Sequence, residues 1–218
     1  MEFLPDPPTP FPVPADVHVL KAGARLWRIY FHSGKSPTPW SGFRCFGPTS
    51  ARFDPHLAPP RRQARGILYA AKETPRERTG SAKKKNAGVL TAIAEVFQDT
   101  GLIDRIRNEP WLTAFQLQSD VPLLSTWDLW PVSAGGNMAI NSGSHAQARK
   151  WSRAIYDQYP HVAGIWYPSS MTNTPCVALY ERAEKSLPVR PQFNRPLVDP
   201  ALLPGLTVIA ASLNYDLR

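Results

Sequence analysis

The sequence has few cysteines: Cys45 and Cys176 are the only two among 218 residues. Neither forms a CxxC pair or lies at metal-ligand spacing from a histidine cluster, so neither a zinc site nor a disulfide framework is predicted. Long hydrophobic runs are absent too, since no apolar stretch approaches the ~18–20 residues of a membrane-spanning helix. The first 20 residues contain six prolines and early acids, without the basic and apolar regions of a signal peptide. We therefore expect a protein that acts in the cytoplasm, without a metal and away from membranes.

Several catalytic and binding motifs are missing as well. There is no GxSxG elbow, which disfavours a serine hydrolase of the Ser-His-Asp type. Gly135 and Gly136 are not embedded in a strand-GxGxxG-helix unit, so a Rossmann nucleotide site is not supported. No RNA-binding aromatic motif, zinc-finger spacing or helix-turn-helix pattern is present. Nucleic-acid binding therefore rests on charge alone, and direct binding is not expected.

Positive charge is present in excess: 25 Lys and Arg residues against 17 Asp and Glu residues give a net charge of +8. Nine of the basic residues fall within 61–85, where the stretch ERTGSAKKKNAG is typical of an exposed, solvated loop. Such a charge attracts nucleic acid, an acidic partner protein or a phosphorylated small molecule.

Proline is also frequent, with 24 residues against a usual share of ~5%, and this predicts long irregular connections. Hydrophobic residues make up 43% of the chain, and 218 residues suit one domain of ordinary size. We divide the chain into a proline-rich extension over 1–20, expected to lie along the surface, and one domain over 21–186. Residues 187–218 form a proline-rich loop and a C-terminal strand packed on that domain.

Hydrophobic periodicity predicts an α+β fold. Alternating apolar side chains and β-favouring residue types predict strands over 26–31, 66–71, 112–117, 161–167, 176–180 and 206–211. An apolar stripe with spacing i, i+3, i+4, i+7 predicts a helix over 89–97, and a second helix is predicted over 144–159. Glu95 lies off the stripe of the first helix, which by position alone makes it a solvent-facing residue.

Short motifs then occur in a fixed order along the chain. They are Leu-Trp-Arg-Ile-Tyr at 26–30, Ser-Ala-Arg-Phe-Asp-Pro at 50–55, Ile-Leu-Tyr-Ala-Ala at 67–71, Ala-Glu-Val at 94–96, Gly-Ile-Trp-Tyr-Pro-Ser at 164–169 and Val-Ala-Leu-Tyr-Glu at 177–181. Together they resemble the RES-domain family, named for an Arg, a Glu and a Ser, over roughly 26–181. Two features depart from the family. Its usual Gly-Gly before the arginine is Ser50-Ala51 here, and the basic loop extends the segment between Tyr69 and Glu95.

The resemblance implies a single ADP-ribosyltransferase-like domain, in which twisted, mostly antiparallel sheets with flanking helices clasp NAD. It implies a growth-inhibiting toxin that degrades NAD, its substrate, by hydrolysis or phosphorolysis. It also implies a partner protein that inhibits the toxin, such as an antitoxin of the Xre type.

Cleavage of the bond between nicotinamide and ribose passes through an oxocarbenium-like transition state. Such a site needs a cation at the pyrophosphate, an aromatic wall and a carboxylate. The resemblance assigns catalysis to Arg52, Tyr69 and Glu95, and contacts with NAD to Arg28, Arg52, Tyr69 and Ser169. An arginine holds phosphate oxygens in a bidentate fork. Tyr69 stacks on a ring or donates its hydroxyl to the ribose, and Ser169 bonds the substrate or holds Glu95 or Arg52 in place.

Each of these residues has an ordinary structural alternative. Arg28 also suits a surface position on a strand, and Tyr69 suits the core. Glu73 competes with Glu95 for the catalytic role, although it lacks an apolar helix around it. The histidines are expected to be structural or on the surface: His32, His145 and His161.

Two other functions remain open. One is transfer of ADP-ribose to a macromolecule that the basic surface recruits. The other is a non-enzymatic nucleic-acid-binding module, which predicts steeply salt-dependent binding.

Overall fold

The structure is a computed structural model and describes residues 3–45, 50–57, 65–74 and 87–218. Its strands are β1 Val17–Leu20, β2 Arg25–Phe31, β3 Ile67–Lys72, β4 Leu102–Ile103, β5 Pro110–Gln116, β6 Val121–Ser125, β7 Gly164–Pro168, β8 Pro175–Tyr180, β9 Phe193–Pro196 and β10 Asp216–Leu217. Its α-helices are α1 Ala87–Phe97, α2 Trp130–Ser133, α3 Ala139–Ser142, α4 His145–Gln158 and α5 Leu203–Leu213. Most of the basic segment 61–85 lies outside the described residues.

Eight of the strands form one sheet in the order β1-β6-β7-β8-β3-β2-β5-β9, and β10 pairs with β4 in a second, two-stranded sheet. Within the large sheet only β6 and β7 run parallel, and every other pair is antiparallel. The predicted α+β fold with mostly antiparallel strands and flanking helices is confirmed.

The large sheet is split in its middle, between β2 and β3. These two strands pair only at Leu26 with Lys72 and at Trp27 with Ala71. Beyond these pairs, β2 continues along β5 and β3 continues along β8, while Ile67 pairs with Arg44 in an isolated bridge. The split leaves space between two well-anchored halves of the sheet.

Helix α1 packs against β2 and β3 on one side of this split. The predicted apolar stripe explains the contact, because Ile93, Ala94 and Phe97 are all buried. Glu95 follows Ala94 on the edge of the buried face and is only partly exposed. The helix therefore carries Glu95 beside the sheet rather than out into solvent.

The prediction of a strand over 206–211 is wrong, because these residues belong to the helix α5. Its β-branched residues favour a strand, but Leu206, Ile209 and Ala210 are spaced as on a helix and are buried together. A proline in the first turn and Asn214 in a left-handed conformation at the end mark the bounds of the helix. The preceding proline-rich loop contains β9 at the edge of the sheet.

The N-terminal segment, defined here as residues 3–16, enters the core at two points. Leu4 and Phe11 are buried, and the Phe11 ring stacks on Tyr159 and packs against Trp130 and Trp151. The sequence alone did not predict this, nor the strands β1 and β6 that follow. The sheet therefore begins before the predicted first strand.

Side chains of α4 and of Tyr159, the residue after it, form hydrogen bonds with the backbone of the N-terminal segment. The Trp151 indole donates to the carbonyl of Pro5 (2.7 Å), and the Tyr159 hydroxyl donates to the carbonyl of Val13 (2.6 Å). Gln158 accepts the Phe11 amide proton (2.6 Å). These contacts tie the segment to α4, whose first residue reaches the candidate site described below.

Candidate functional site

A cleft of about 690 Å³ lies along the split between β2 and β3. Ligand pockets for small molecules and cofactors usually enclose ~300–1,000 Å³, so the cleft is large enough for a dinucleotide. Four of the predicted site residues line it: Arg28, Arg52, Tyr69 and Glu95. Ser169 is buried directly behind Glu95.

Ser169 holds Glu95 from the end of β7. Its hydroxyl oxygen accepts the amide protons of Met171 (3.1 Å) and Thr172 (3.2 Å), while its own proton is donated to Oε1 of Glu95. A hydroxyl has one proton and two lone pairs, so these three bonds leave Ser169 nothing with which to contact a substrate. Oε2 of Glu95 makes no hydrogen bond with any described residue, and it is the oxygen available to the cleft.

Arg52 lines the same cleft and lies in the loop at 50–54. One of its guanidinium nitrogens donates to the carbonyl of Gly143, just before α4 (2.6 Å). No described carboxylate lies within 4 Å of it, although the charge of Glu95 opposes the lowering of the Arg52 pKa that burial causes. Because an arginine carries five N–H donors, Arg52 keeps several for an anion in the cleft.

Tyr69 lies on β3, and its hydroxyl is bonded into the wall of the cleft. It donates to Oδ1 of Asp54 (2.9 Å) and accepts the amide proton of Phe53 (3.0 Å). Burial, together with the charge of Asp54, raises the pKa of Tyr69 well above its usual value. The hydroxyl stays protonated, and the ring lines the cleft.

Sequence reasoning missed Asp54, which lies behind Tyr69, and Arg44, which bonds to Asp54 and also lines the cleft. Asp54 is buried and accepts from Arg44 Nη2 at Oδ1 (2.6 Å) and from the Ala51 amide at Oδ2 (3.0 Å). The available signal was the acid in Ser-Ala-Arg-Phe-Asp-Pro, two residues after the candidate arginine.

Arg28 lies apart from this group. Trp27 and Ala71 are paired and share a face of the sheet with Tyr69, so Arg28, one residue further along β2, is on the other face. Its Nη1 donates to the carbonyl of Trp40 (2.8 Å), and its buried Nε finds no partner among the described residues. Burial, reinforced by the nearby Arg44, lowers the pKa of Arg28 to about 10. Arg28 also lines the cleft, as a second cation, and no described carboxylate forms an ion pair with it.

Tyr167, Cys176 and His145 also line the cleft. Burial raises the pKa of both the Tyr167 hydroxyl and the Cys176 thiol, and Tyr167 packs edge-on against Phe53 at 4.8 Å. His145, the first residue of α4, has a pKa lowered by burial and by Arg52. Tyr167 lies in the Tyr-Pro-Ser motif, whereas nothing in the sequence connected Cys176 or His145 with the site.

Other candidates from the sequence lie elsewhere. Glu73 forms an ion pair with Arg25 (3.3 Å) and does not line the cleft. His32 and His161 are exposed, beside Glu109 and Tyr159 respectively. Within the described parts of the chain, no group of three or more His, Cys, Asp or Glu side chains could hold a metal ion. No helix there is long and apolar enough to cross a membrane.

Comparisons by sequence found no matching family model and no matching curated protein. Comparison by structure found a chain in the "Crystal structure of the M.tuberculosis MbcT-MbcA toxin-antitoxin complex". The two chains superpose with a TM-score of 0.54 at 12% identity, over 87% of this chain and 92% of that chain. The likeness is one of fold, and it extends over nearly the whole of both chains.

Proposed function

We propose that the protein is a toxin-like enzyme that cleaves the bond between nicotinamide and ribose in NAD. One observation carries the proposal: a single cleft is lined by both a guanidinium with free donors, Arg52, and a carboxylate with a free oxygen, Glu95. The Tyr69 ring lies on the same cleft. A pyrophosphate, a nicotinamide ring and a cationic ribose each find a complementary group there.

The reaction breaks the bond between the nicotinamide nitrogen and ribose C1′, and the bonding electron pair goes to that nitrogen. In hydrolysis a water oxygen bonds to C1′, which gives ADP-ribose and releases one proton to solvent. In phosphorolysis a phosphate oxygen bonds to C1′ and gives the 1-phosphate of ADP-ribose. Positive charge develops on the ribose in both reactions, so a carboxylate at C1′ lowers the barrier.

Each residue has a defined task in this proposal. Glu95 faces the ribose through Oε2, because Ser169 occupies Oε1. Arg52 holds the pyrophosphate, and Arg28 is a second cation for the same charged group. Tyr69 forms the aromatic wall. The uncompensated charge of Arg28 favours an anionic ligand, because burial has already removed much of its water.

The likeness to a chain of a toxin–antitoxin complex supports a toxin and an inhibitor protein as its partner. We place its action in the cytoplasm, where NAD is abundant. An unregulated enzyme that consumes NAD would harm its own cell, so a protein that blocks the cleft, such as an Xre-type antitoxin, is part of the proposal.

Transfer of ADP-ribose to a macromolecule is the second candidate, and an arginine cluster beside the cleft favours it. Arg149 donates to the carbonyl of Ser50 (3.1 Å). Burial, and after it the charges of Arg149 and Arg65, lower the pKa of Arg153. Arg153 makes no ion pair or hydrogen bond with any described residue. An acidic acceptor would relieve the repulsion among these three guanidinium groups.

The proposal is tested by incubating the wild type and Glu95→Gln with NAD, with and without phosphate, and separating the products by chromatography. Nicotinamide release by the wild type alone supports the enzyme, and the second product identifies the acceptor. Release at equal rates by both proteins contradicts the role of Glu95. When the NAD carries a radioactive label in its ADP-ribose part, label bound covalently to an added protein, without free ADP-ribose, favours the second candidate.

A further inference from the structure

The Asp54 carboxylate is saturated by bonds within the wall of the cleft. It is 3% exposed and accepts hydrogen bonds from three donors: the Tyr69 hydroxyl, the Arg44 guanidinium and the Ala51 amide. Its own amide also donates to the carbonyl of Ala51 (3.4 Å), which closes a tight turn. Asp54 therefore faces the protein and not the cleft.

These bonds fix the backbone on both sides of Arg52. The amide before it, at Ala51, donates to Oδ2 of Asp54. The amide after it, at Phe53, donates to the Tyr69 hydroxyl, which is itself bonded to Oδ1 of Asp54. One carboxylate thus holds the turn that carries Arg52, directly on one side and through a tyrosine on the other.

The same bonds decide which part of Tyr69 can meet a substrate. The single hydroxyl proton goes to Asp54, and a lone pair accepts the Phe53 amide proton. No proton is left to donate to a ribose hydroxyl. The raised pKa of Tyr69 agrees with a hydroxyl that keeps its proton, and the exposed part of the residue is its ring.

We infer that Asp54 is a positioning residue, which fixes Arg52 for the phosphates of the substrate and turns the Tyr69 hydroxyl away, so that Tyr69 acts through its ring. The inference rests on the proposed function for the identity of the substrate. The backbone arrangement that it describes can be measured without any substrate.

The first test is Asp54→Asn, which keeps the shape of the side chain but leaves only one oxygen to accept protons. Either the Ala51 amide loses its acceptor, or the Tyr69 hydroxyl and the Arg44 guanidinium lose theirs. We expect the KM for NAD to rise on the order of tenfold, the effect of losing one hydrogen bond to a charged group, with kcat within about threefold. The matched control is Asp157→Asn, which removes the Arg65 ion pair on α4 and leaves the turn intact.

A double-mutant cycle distinguishes positioning from general damage. If Asp54 acts through Arg52, then Asp54→Asn raises KM no further in an Arg52→Ala background. An equal rise in both backgrounds overturns the inference, because Asp54 would then support the whole cleft.

If Asp54→Asn does not fold, Tyr69→Phe serves in its place, since it keeps the ring and removes both bonds of the hydroxyl. We expect a KM rise in that variant too, and a loss of kcat above tenfold would show that the hydroxyl contacts the substrate.

Hydrogen exchange of the amides at Ala51 and Phe53 gives a measurement independent of activity. In Asp54→Asn we expect exchange at least about tenfold faster at one or both of these amides, and unchanged exchange in Asp157→Asn. Unchanged exchange in both variants overturns the inference, even if the wild type consumes NAD. If the wild type neither binds nor cleaves NAD, the proposed function fails, and the exchange rates alone decide whether Asp54 holds the turn.

Discussion

The two walls of the cleft each contain a carboxylate, and the two carboxylates differ in how completely they are bonded. Asp54 is buried and accepts protons from a phenol, a guanidinium and an amide. Glu95 is partly exposed, and Ser169 alone donates to its side chain among the described residues. A carboxylate whose oxygens are all occupied stabilises the fold, whereas one with a free oxygen can stabilise charge on a bound molecule. The difference explains why the acid inside the wall and the acid that lines the cleft take different tasks.

The largest effect is expected from Glu95→Gln. The amide keeps the size of the side chain but removes the negative charge, so turnover of NAD falls at least ~10²-fold, the cost of losing a charged group at the reacting centre. Binding of NAD, measured by calorimetry, and the melting temperature should change little. If Glu95→Gln unfolds several degrees earlier than the wild type, then Glu95 is also a structural carboxylate and the comparison with Asp54 fails.

Arg52→Ala should weaken NAD binding by ~10- to 100-fold, because a charged hydrogen bond contributes about 1.5–3 kcal/mol. Arg52→Lys keeps the charge without the bidentate fork, so its affinity should lie between those of the wild type and the alanine variant. Calorimetry with a slowly reacting Glu95→Gln background measures both. Arg195→Ala, at an exposed ion pair with Asp199, is the control, and an equal loss there would remove Arg52 from the site.

Ser169→Ala should lower kcat by about tenfold and the free energy of unfolding by ~1–2 kcal/mol. The reason is that Glu95 loses its donor and two amides lose their acceptor. Ser133→Ala, at an exposed residue of α2 that does not line the cleft, is the control, and it should change neither quantity appreciably. A kcat equal to that of the wild type in Ser169→Ala would mean that Glu95 needs no orientation.

The smallest effect concerns pH and the wall that carries Arg52. His145 has a pKa lowered by burial and by Arg52, whereas an unfolded histidine titrates near ~6.5. Below that pH the unfolded chain takes up a proton that the folded protein resists, so the free energy of unfolding falls as pH drops. His18 and His56, whose pKa values burial also lowers, act in the same direction.

His145→Gln should therefore reduce the loss of stability between pH 7 and 5. The change should stay below about 0.5 kcal/mol, because His145 is exposed and its charge is screened. Urea denaturation at several pH values measures it. A steeper loss in His145→Gln than in the wild type would contradict the lowered pKa.

The sequence predicted the elements that have a clear period. The helices at α1 and α4 and the strands β2, β3, β5 and β8 lie within about two residues of their predicted bounds. The strand predicted for 206–211 failed because β-branched residues suit either element in isolation, and contacts with the core decided for a helix. The split between β2 and β3 could not be predicted, because it depends on pairing between distant segments.

The site was predictable in its residue types but not in its connections. Motif order singled out Arg52, Tyr69 and Glu95, and all three line one cleft. From the sequence, Ser169 could contact either the substrate or other protein groups. In the structure its hydroxyl donates to Glu95 and accepts from two amides, and these bonds depend on the fold. Asp54 was overlooked because its partners are brought to it by the fold.

The N-terminal segment has a consequence for how this chain can vary. Several of its polar anchors are backbone groups that most residue types offer: carbonyl oxygens accept hydrogen bonds from Trp151 and Tyr159, and the Phe11 amide donates to Gln158. The Asp6 carboxylate, bonded to Gln147 and Lys150, is an anchor made by a side chain. Only Leu4 and Phe11 contribute buried side chains. Apart from Asp6, the residues between Leu4 and Phe11 contribute mainly backbone contacts to this path over α4, so they can change more freely. Relatives of this protein can therefore retain the same course of the chain here while their sequences diverge beyond recognition.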